Sequence, residues 1–313
     1  MQPSRTLTVV VPTYGRPHQV APMLAALAVQ TRPPDEVLYV VRQSDGDTNA
    51  ALDRARSVLP LRRAFVTIPG HVPPIEVGTH AARSDVIAVI DDDARPASDW
   101  CERILEHFGR DPRLGILAGR VREEGRSAPP THAARSGKVG QVQWPGRLPG
   151  EFVAMELEGP PIDVMAAGGG NMAYRREALA NLDFDLRLNL GSSRFYENDL
   201  CWQARNAGWR VCFAADVVVD HRSDTAARGD GRPGETTHAF TVGHNWTLIV
   251  LKNAPPATRA AFVPYWFLWG ASTSPGPLRY AAALAFGRPT RIQDVLEGWR
   301  GRVEGVRKTL RSR

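Results

Sequence analysis

The stretch Val86-Ile87-Ala88-Val89-Ile90-Asp91-Asp92-Asp93 decides how this chain is read. An apolar, largely β-branched run of this length is a strand buried on both faces, and here three carboxylates stand at its carboxyl end. Like charges placed together repel one another and lose hydration, so a cation belongs beside them. A hard divalent ion, Mg²⁺ or Mn²⁺, suits a carboxylate set. The alternative is that the acids cap the next helix and face water. In parallel sheets ligands gather at the carboxyl ends of strands, which makes the position as informative as the residues.

Working outward, Leu7 to Val11 is a first strand ended by Pro12, and His18 to Gln30 puts Val20, Met23, Leu24 and Leu27 on one helical face. The alternation continues with a strand over Asp35–Val41, a helix over Asn49–Val58, a strand over Ala64–Ile68, a short helix over Glu76–Ala82 and the strand over Asp85–Ile90. This order predicts an α/β fold with a mostly parallel sheet flanked by helices. A helix from Trp100 to Phe108 and a strand over Leu114–Val121 follow. The Gly-, Pro-, Arg- and Ser-rich segment Arg122–Gly150 then reads as either a lid or a disordered loop. Order resumes at Ile162–Ala167, Gly168-Gly169-Gly170-Asn171 and a helix over Arg175–Leu182. A helix over Asp199–Ala207, closed by Gly208, precedes short strands at Arg210–Phe213 and Val217–Val219. From about Thr236 the chain changes character, with Trp246, Trp266, Trp269, Trp299 and a basic tail, so residues 1–235 are expected to form the main domain and 236–313 a helical appendage.

Composition bounds the function. With 313 residues, 43% apolar, 23% charged and a net charge of +6, the chain is a soluble globular protein, neither collagen-like nor disordered. Cys101, Cys201 and Cys212 are too few and too scattered for a disulfide framework or a metal knuckle, which favours buried thiols in a reducing cytosol. No cleavable leader follows Met1 and no charge-free apolar run of about 18 residues occurs. The arginines are dispersed and no nucleic-acid module accompanies them, so nucleic acid is not an expected partner. Phe262, Tyr265, Trp266, Phe267 and Trp269, with Arg300, Arg302, Arg307, Lys308, Arg311 and Arg313, read either as a surface for an anionic membrane or as a packed helix with a solvated basic face.

Two further clusters carry chemistry. Tyr196-Glu197-Asn198-Asp199 sets carboxylates at a helix start, where the helix dipole favours an ionised acid that serves as a cap or as a general base. His221, after the apolar Val217-Val218-Val219, is either structural or the imidazole that completes a carboxylate metal site.

Taken in order, these clusters resemble the family 2 glycosyltransferases, inverting enzymes of the GT-A fold, and within them the rhamnosyl- and galactofuranosyl-transferase-like branch. The likeness runs from Leu7 to His221. Val9 to Pro17 is similar to the first donor-binding segment, which implies donor contacts at Pro12, Thr13, Tyr14 and Arg16. Asp91-Asp92-Asp93 matches the DxD motif, implying that Asp91 and Asp92 contact the donor, while Asp91 and Asp93 hold the metal and His221 closes its site. Where the family often has an aspartate on the nucleotide base, this chain has Arg42-Gln43-Ser44-Asp45, so Arg42 and Asp45 take that place. Gly168, Gly169, Gly170 and Asn171 resemble the acceptor-side segment. Fixing the family's Glu-Asp-x-x-Leu pattern on Leu200 makes Glu197 the base, and a displaced register makes it Asp199.

The resemblance therefore implies a metal-dependent inverting transferase acting on a cytosolic UDP-, dTDP- or GDP-sugar, with a cell-surface polysaccharide, lipid-linked or natural-product acceptor, while peripheral contact with the inner membrane face is one of the two readings of the C-terminal residues. The rival readings are a nucleotidyltransferase and a membrane-associated binding protein with a degenerate site. The first normally needs a basic glycine-rich phosphate loop, and Thr13 to Pro17 offers one glycine and no lysine.

Overall fold

The computed structural model describes residues 5–55, 58–123, 140–148, 159–191, 195–222 and 236–311. Most of Arg122–Gly150, expected to be either a lid or a disordered loop, lies outside them. One sheet organises the fold, in the order β3 (Leu61–Val66), β2 (Glu36–Arg42), β1 (Leu7–Pro12), β4 (Val86–Ile90), β8 (Asn171–Arg175), β6 (Leu114–Glu123), β9 (Arg210–His221) and β5 (Ala94–Pro96), with β7 (Ile162–Asp163) also on β9. Strands β3, β2, β1 and β4 pair in parallel, as do β6 and β9. Strand β8 runs antiparallel to both β4 and β6, so the two parallel groups share one direction and their carboxyl ends share one edge.

Strands β1, β2, β4 and β8 are buried on both faces because helices cover both. Val9 and Val11 join a core with α1 (Pro17–Ala28), α2 (Gly46–Arg54) and α4 (Trp100–Arg110), whereas Val10 faces α3 (Val72–Ala81). The α1 face buries Val20, Met23, Leu24 and Leu27, the four residues that helical spacing singles out. Asp45 accepts a hydrogen bond from Thr48 N and so starts α2 three residues earlier than apolar spacing implies. The three cysteines are free and buried, and burial pushes the Cys101 thiol up to about 12.

Several elements differ from expectation. Asn171–Arg175 is a fully buried strand, and only Arg176–Leu179 (α5) is helical after it. Its end residues are polar because they bond inside the fold: Asn171 Nδ2 donates to Val217 O and Arg175 Nε to Leu114 O. The strand signal is thus disguised. Strand β9 is one element from Arg210 to His221, with a register irregularity opposite Gly119 and Arg120. Helix α6 spans Tyr196–Asn206, beginning before Asp199, from Phe195 at φ 72°, an uncommon conformation for a bulky residue.

Residues beyond 236 form α7 (His238–Asn253), α8 (Pro256–Leu268), α9 (Pro277–Ala285) and α10 (Ile292–Arg311). Val242, Trp246, Leu248, Ile249 and Val250 of α7 share a core with Leu200 and Trp202 of α6. Along α10, Gly298, Gly301 and Gly305 form a stripe against α7, where a Cβ on Gly301 would sit 2.2 Å from Phe240 O. Arg302 on that helix is fully buried, with its guanidinium donating to Ser274 O and lying 4.9 Å from the Trp266 ring. Arg302, Phe262 and Trp266 are therefore core residues, which corrects the reading that put them on a membrane-facing surface. No helix among the described residues is long and apolar enough to cross a membrane.

Candidate active site

The common carboxyl edge gathers the loops after β1, β2 and β4 and the end of β9. Asp91, Asp92 and Asp93 follow β4 directly, and the chain then turns into β5, whose Ala94 is paired with His221. That short antiparallel pairing brings the histidine to the acids: His221 Nε2 lies 3.2 Å from Asp93 Oδ1 and 4.0 Å from Asp91 Oδ2. One ligand atom from each of Asp91, Asp93 and His221 falls within a 4.8 Å span. Two carboxylate oxygens and an imidazole nitrogen are a donor set that Mg²⁺ or Mn²⁺ accepts.

Asp92 faces away from that group. Its carboxylate accepts from Thr13 Oγ1 at 2.5 Å and from Arg16 at 2.6 Å, and the same guanidinium reaches Asp93 at 3.0 Å. Burial pushes the Asp92 carboxyl up to about 6, against the lowering effects of Arg16 and Thr13. Arg16 thus supplies part of the cationic compensation that the acidic run requires. It joins the β1 loop to the β4 loop, a pairing that no sequence pattern announces.

The other donor-side positions divide. Tyr14 and Arg42 form a cation–π pair with the guanidinium carbon 4.1 Å from the ring centre, which stands between the ends of β1 and β2. Asp45 is 8% exposed, and its carboxylate accepts from Gly15 N at 2.6 Å as well as from Thr48 N, so both oxygens are engaged in shaping the loops. Pro12 ends β1, and Thr13 N continues the ladder to Val40 O.

Across the edge, the glycine turn meets the helix that carries Glu197. A Cβ on Gly169 would lie 1.9 Å from Glu197 Oε1, and one on Gly170 would lie 3.0 Å from Asp91 Oδ2. Gly170 also has φ +88°, a backbone state that glycine adopts without steric cost. The Glu197 carboxylate and the acidic group therefore flank one glycine turn, with Gly168 at its start. Tyr196 below it is buried, and its hydroxyl is raised well above its usual pKa, first by burial and then by the charges of Glu197, Tyr174 and Asp91. Asn198 holds the turn in place by accepting from Ala167 N at 3.0 Å. Its role was not signalled by sequence, since an asparagine between two acids draws no attention.

Asp199 and Asn171 belong to the framework. Asp199 is 1% exposed and accepts from Lys252 Nζ at 2.9 Å, Asn253 Nδ2 at 2.6 Å and Gln203 Nε2 at 2.7 Å, which fastens α6 to α7. Asn171 is likewise 1% exposed; Trp100 Nε1 donates to its oxygen, and its amide nitrogen donates to the carbonyls of Arg120 and Val217. Both side chains are thus engaged by partners within the fold, and Glu197 is the acid of α6 that stands at the glycine turn.

A family model described as Glycosyltransferase like family 2 matches residues 3–232. The chain belongs to this family. Among solved structures, S. aureus TarS 1–349 in complex with UDP-GlcNAc aligns with TM-score 0.58 and 15% identity over 84% of this chain and 72% of that one. The mannosyltransferase PcManGT from Pyrobaculum calidifontis in complex with GDP-Man and Mn²⁺ aligns with TM-score 0.54 and 18% identity over 99% of this chain and 88% of that one. At such identities the likeness concerns the fold, and the fold is GT-A. A comparison with curated proteins gave no match.

Proposed function

We propose that this family 2 chain is a metal-dependent, inverting glycosyltransferase that moves a sugar from a nucleotide-sugar donor to an acceptor hydroxyl. The observation that carries the reading is the glycine turn at Gly169 and Gly170, with the Glu197 carboxylate on one side and Asp91 on the other. An acid poised beside, but outside, the candidate metal group is placed to take the proton of an acceptor hydroxyl that attacks a metal-bound donor.

In this reading Asp91, Asp93 and His221 hold the ion, and Pro12, Thr13, Tyr14, Arg16, Arg42 and Asp45 shape the nucleotide side, with Asp92 fixed by Thr13 and Arg16. The divalent ion, when bound, supplies neutralising charge to the leaving diphosphate. Glu197 takes the proton of the acceptor hydroxyl as that oxygen bonds to the anomeric carbon from the opposite face. The bond from that carbon to the diphosphate oxygen breaks with its electron pair going to the diphosphate, and the configuration inverts. Donors bound by structural neighbours, UDP-GlcNAc and GDP-Man, support a UDP- or GDP-sugar ahead of a dTDP-sugar, and the Mn²⁺ of the second supports that metal. His221 beside the acids supports the rhamnosyl- and galactofuranosyl-transferase-like branch.

Thermal stabilisation by UDP, GDP and dTDP, each with Mn²⁺, Mg²⁺ or EDTA, tests the donor side through mass action on the folded state. A rise for one nucleotide that disappears with EDTA is the expected result; no rise with any of them moves the reading to a degenerate binding protein. Residues 236–313 are proposed to be a helical subdomain that touches the inner membrane face. Helix α9 buries none of its residues, Leu278, Leu284 and Phe286 beside it are 52%, 56% and 78% exposed, and Arg288 and Arg291 follow. Sedimentation with anionic but not with neutral vesicles is the expected outcome.

A further inference from the structure

A cavity of about 380 Å³ lies between the head of α6 and the C-terminal helices, walled by Arg147, Phe195, Trp246, Tyr265, Trp266 and Arg279. Phe195 is the N-cap residue of the helix that carries Glu197, two residues before it, so one wall of the cavity is the start of that helix. The position of Phe195 is built for this: its backbone is held at φ 72°, and its ring meets Trp246 edge-on at 5.4 Å. Trp246 is locked in turn, since its indole nitrogen donates to Gly146 O at 2.8 Å.

The charges of this cavity are one-sided. Among the described residues no acidic residue lines it, and neither Arg147 nor Arg279 has an ion pair. Arg279 Nε is buried without a hydrogen-bond partner, while its guanidinium carbon lies 5.3 Å from the Trp269 ring. A buried donor left unsatisfied is costly, and two arginines lining one aromatic cavity are suited to a planar or tetrahedral oxyanion.

We infer that this cavity is the acceptor subsite and that it selects acceptors bearing an anionic group, a phosphate or a carboxylate, near the reacting hydroxyl. The inference rests on the transferase reading for its role in catalysis. The aromatic walls enclose the body of the sugar and the two arginines hold its oxyanion, which turns the hydroxyl toward Glu197. Arg147 and Arg279 are positioning residues in this account, because they touch the acceptor away from the reacting atoms.

The test compares glucose 1-phosphate, glucuronate and neutral glucose by calorimetry on the protein saturated with Mn²⁺ and the nucleotide that stabilises it. Expected is binding of at least one anionic sugar at least about tenfold tighter than glucose, with that margin lost in Arg147→Gln/Arg279→Gln while the nucleotide response is unchanged. The tighter of the two anionic sugars identifies the anion. Arg279→Lys, which keeps the charge but loses the fork, is expected to retain part of the margin and serves if the double variant does not fold. Equal or absent binding of all three sugars with the nucleotide response intact overturns the inference, and so does a margin that survives in the variants. A margin for the anionic sugars without any nucleotide response supports the cavity and overturns the donor-site reading instead.

Discussion

Replacing Gly169 by alanine isolates the glycine turn from everything else in the site. Gly169 has no positive φ, so alanine fits its backbone, and the entropy lost from the unfolded chain makes the change neutral or stabilising by about 0.4–1 kcal/mol. The added Cβ, however, would lie 1.9 Å from Glu197 Oε1, where ordinary contact begins at 3.4 Å, so the carboxylate must withdraw by about 1.5 Å. A misplacement of about 1 Å at a reacting group costs about 10²-fold in rate, and a loss of that order or more in kcat is expected. The assay is metal-dependent hydrolysis or transfer of the stabilising nucleotide's sugar, with donor KM and Tm measured alongside. The expected signature is a collapsed kcat with Tm and donor KM close to those of the parent. Because Glu197→Asp draws the carboxylate back by a methylene, Gly169→Ala and Glu197→Asp are expected to be less than additive. A Gly169→Ala protein with kcat within about threefold of the parent refutes the reasoning, as does strict additivity of the two changes.

Other outcomes follow from the same geometry. Asp93→Ala is expected to abolish EDTA-sensitive nucleotide binding in calorimetry, and unchanged affinity would overturn the assignment of the metal to Asp91, Asp93 and His221. Glu197→Gln should keep nucleotide affinity and lose transfer by about 10²-fold or more, whereas Asp199→Asn should keep turnover per folded molecule but lower stability by about 2 kcal/mol through the weakened Lys252 pairing; the reverse pattern would restore Asp199 as base. Burial raises the Asp185 carboxyl, but its bonds to Arg187 and the charge of Lys252 outweigh that and hold it below the usual carboxylate value. Its stabilising contribution is therefore present above the unfolded value near 3.8 and lost as pH falls through the depressed one. Asp185→Asn should then cost about 1–3 kcal/mol in urea unfolding at pH 7, a gap that narrows below about pH 4; a gap independent of pH would contradict the assigned direction.

The readings from sequence succeeded where the physics is local. The run Leu7–Val11 and the helical face Val20, Met23, Leu24 and Leu27 report burial through residue type and period, which depend only on neighbours along the chain. Asp91, Asp92 and Asp93 were legible as a cluster needing compensation because three carboxylates after a buried strand demand it wherever the chain folds. What compensates them was decided by tertiary structure: Arg16 reaches across 76 residues to Asp92, and the pairing of β5 with β9 presents His221. The two acids of Glu197-Asn198-Asp199 are indistinguishable by type and sit two residues apart. Only the fold separates them, because helical geometry turns one toward the glycine turn and the other toward Lys252, 53 residues further on. Strand β8 was hidden for the same reason, since its polar ends are satisfied by carbonyls of distant elements. Sequence determines which residues must be buried or compensated; which partner does it depends on contacts between segments that the chain brings together only when the sheet is complete.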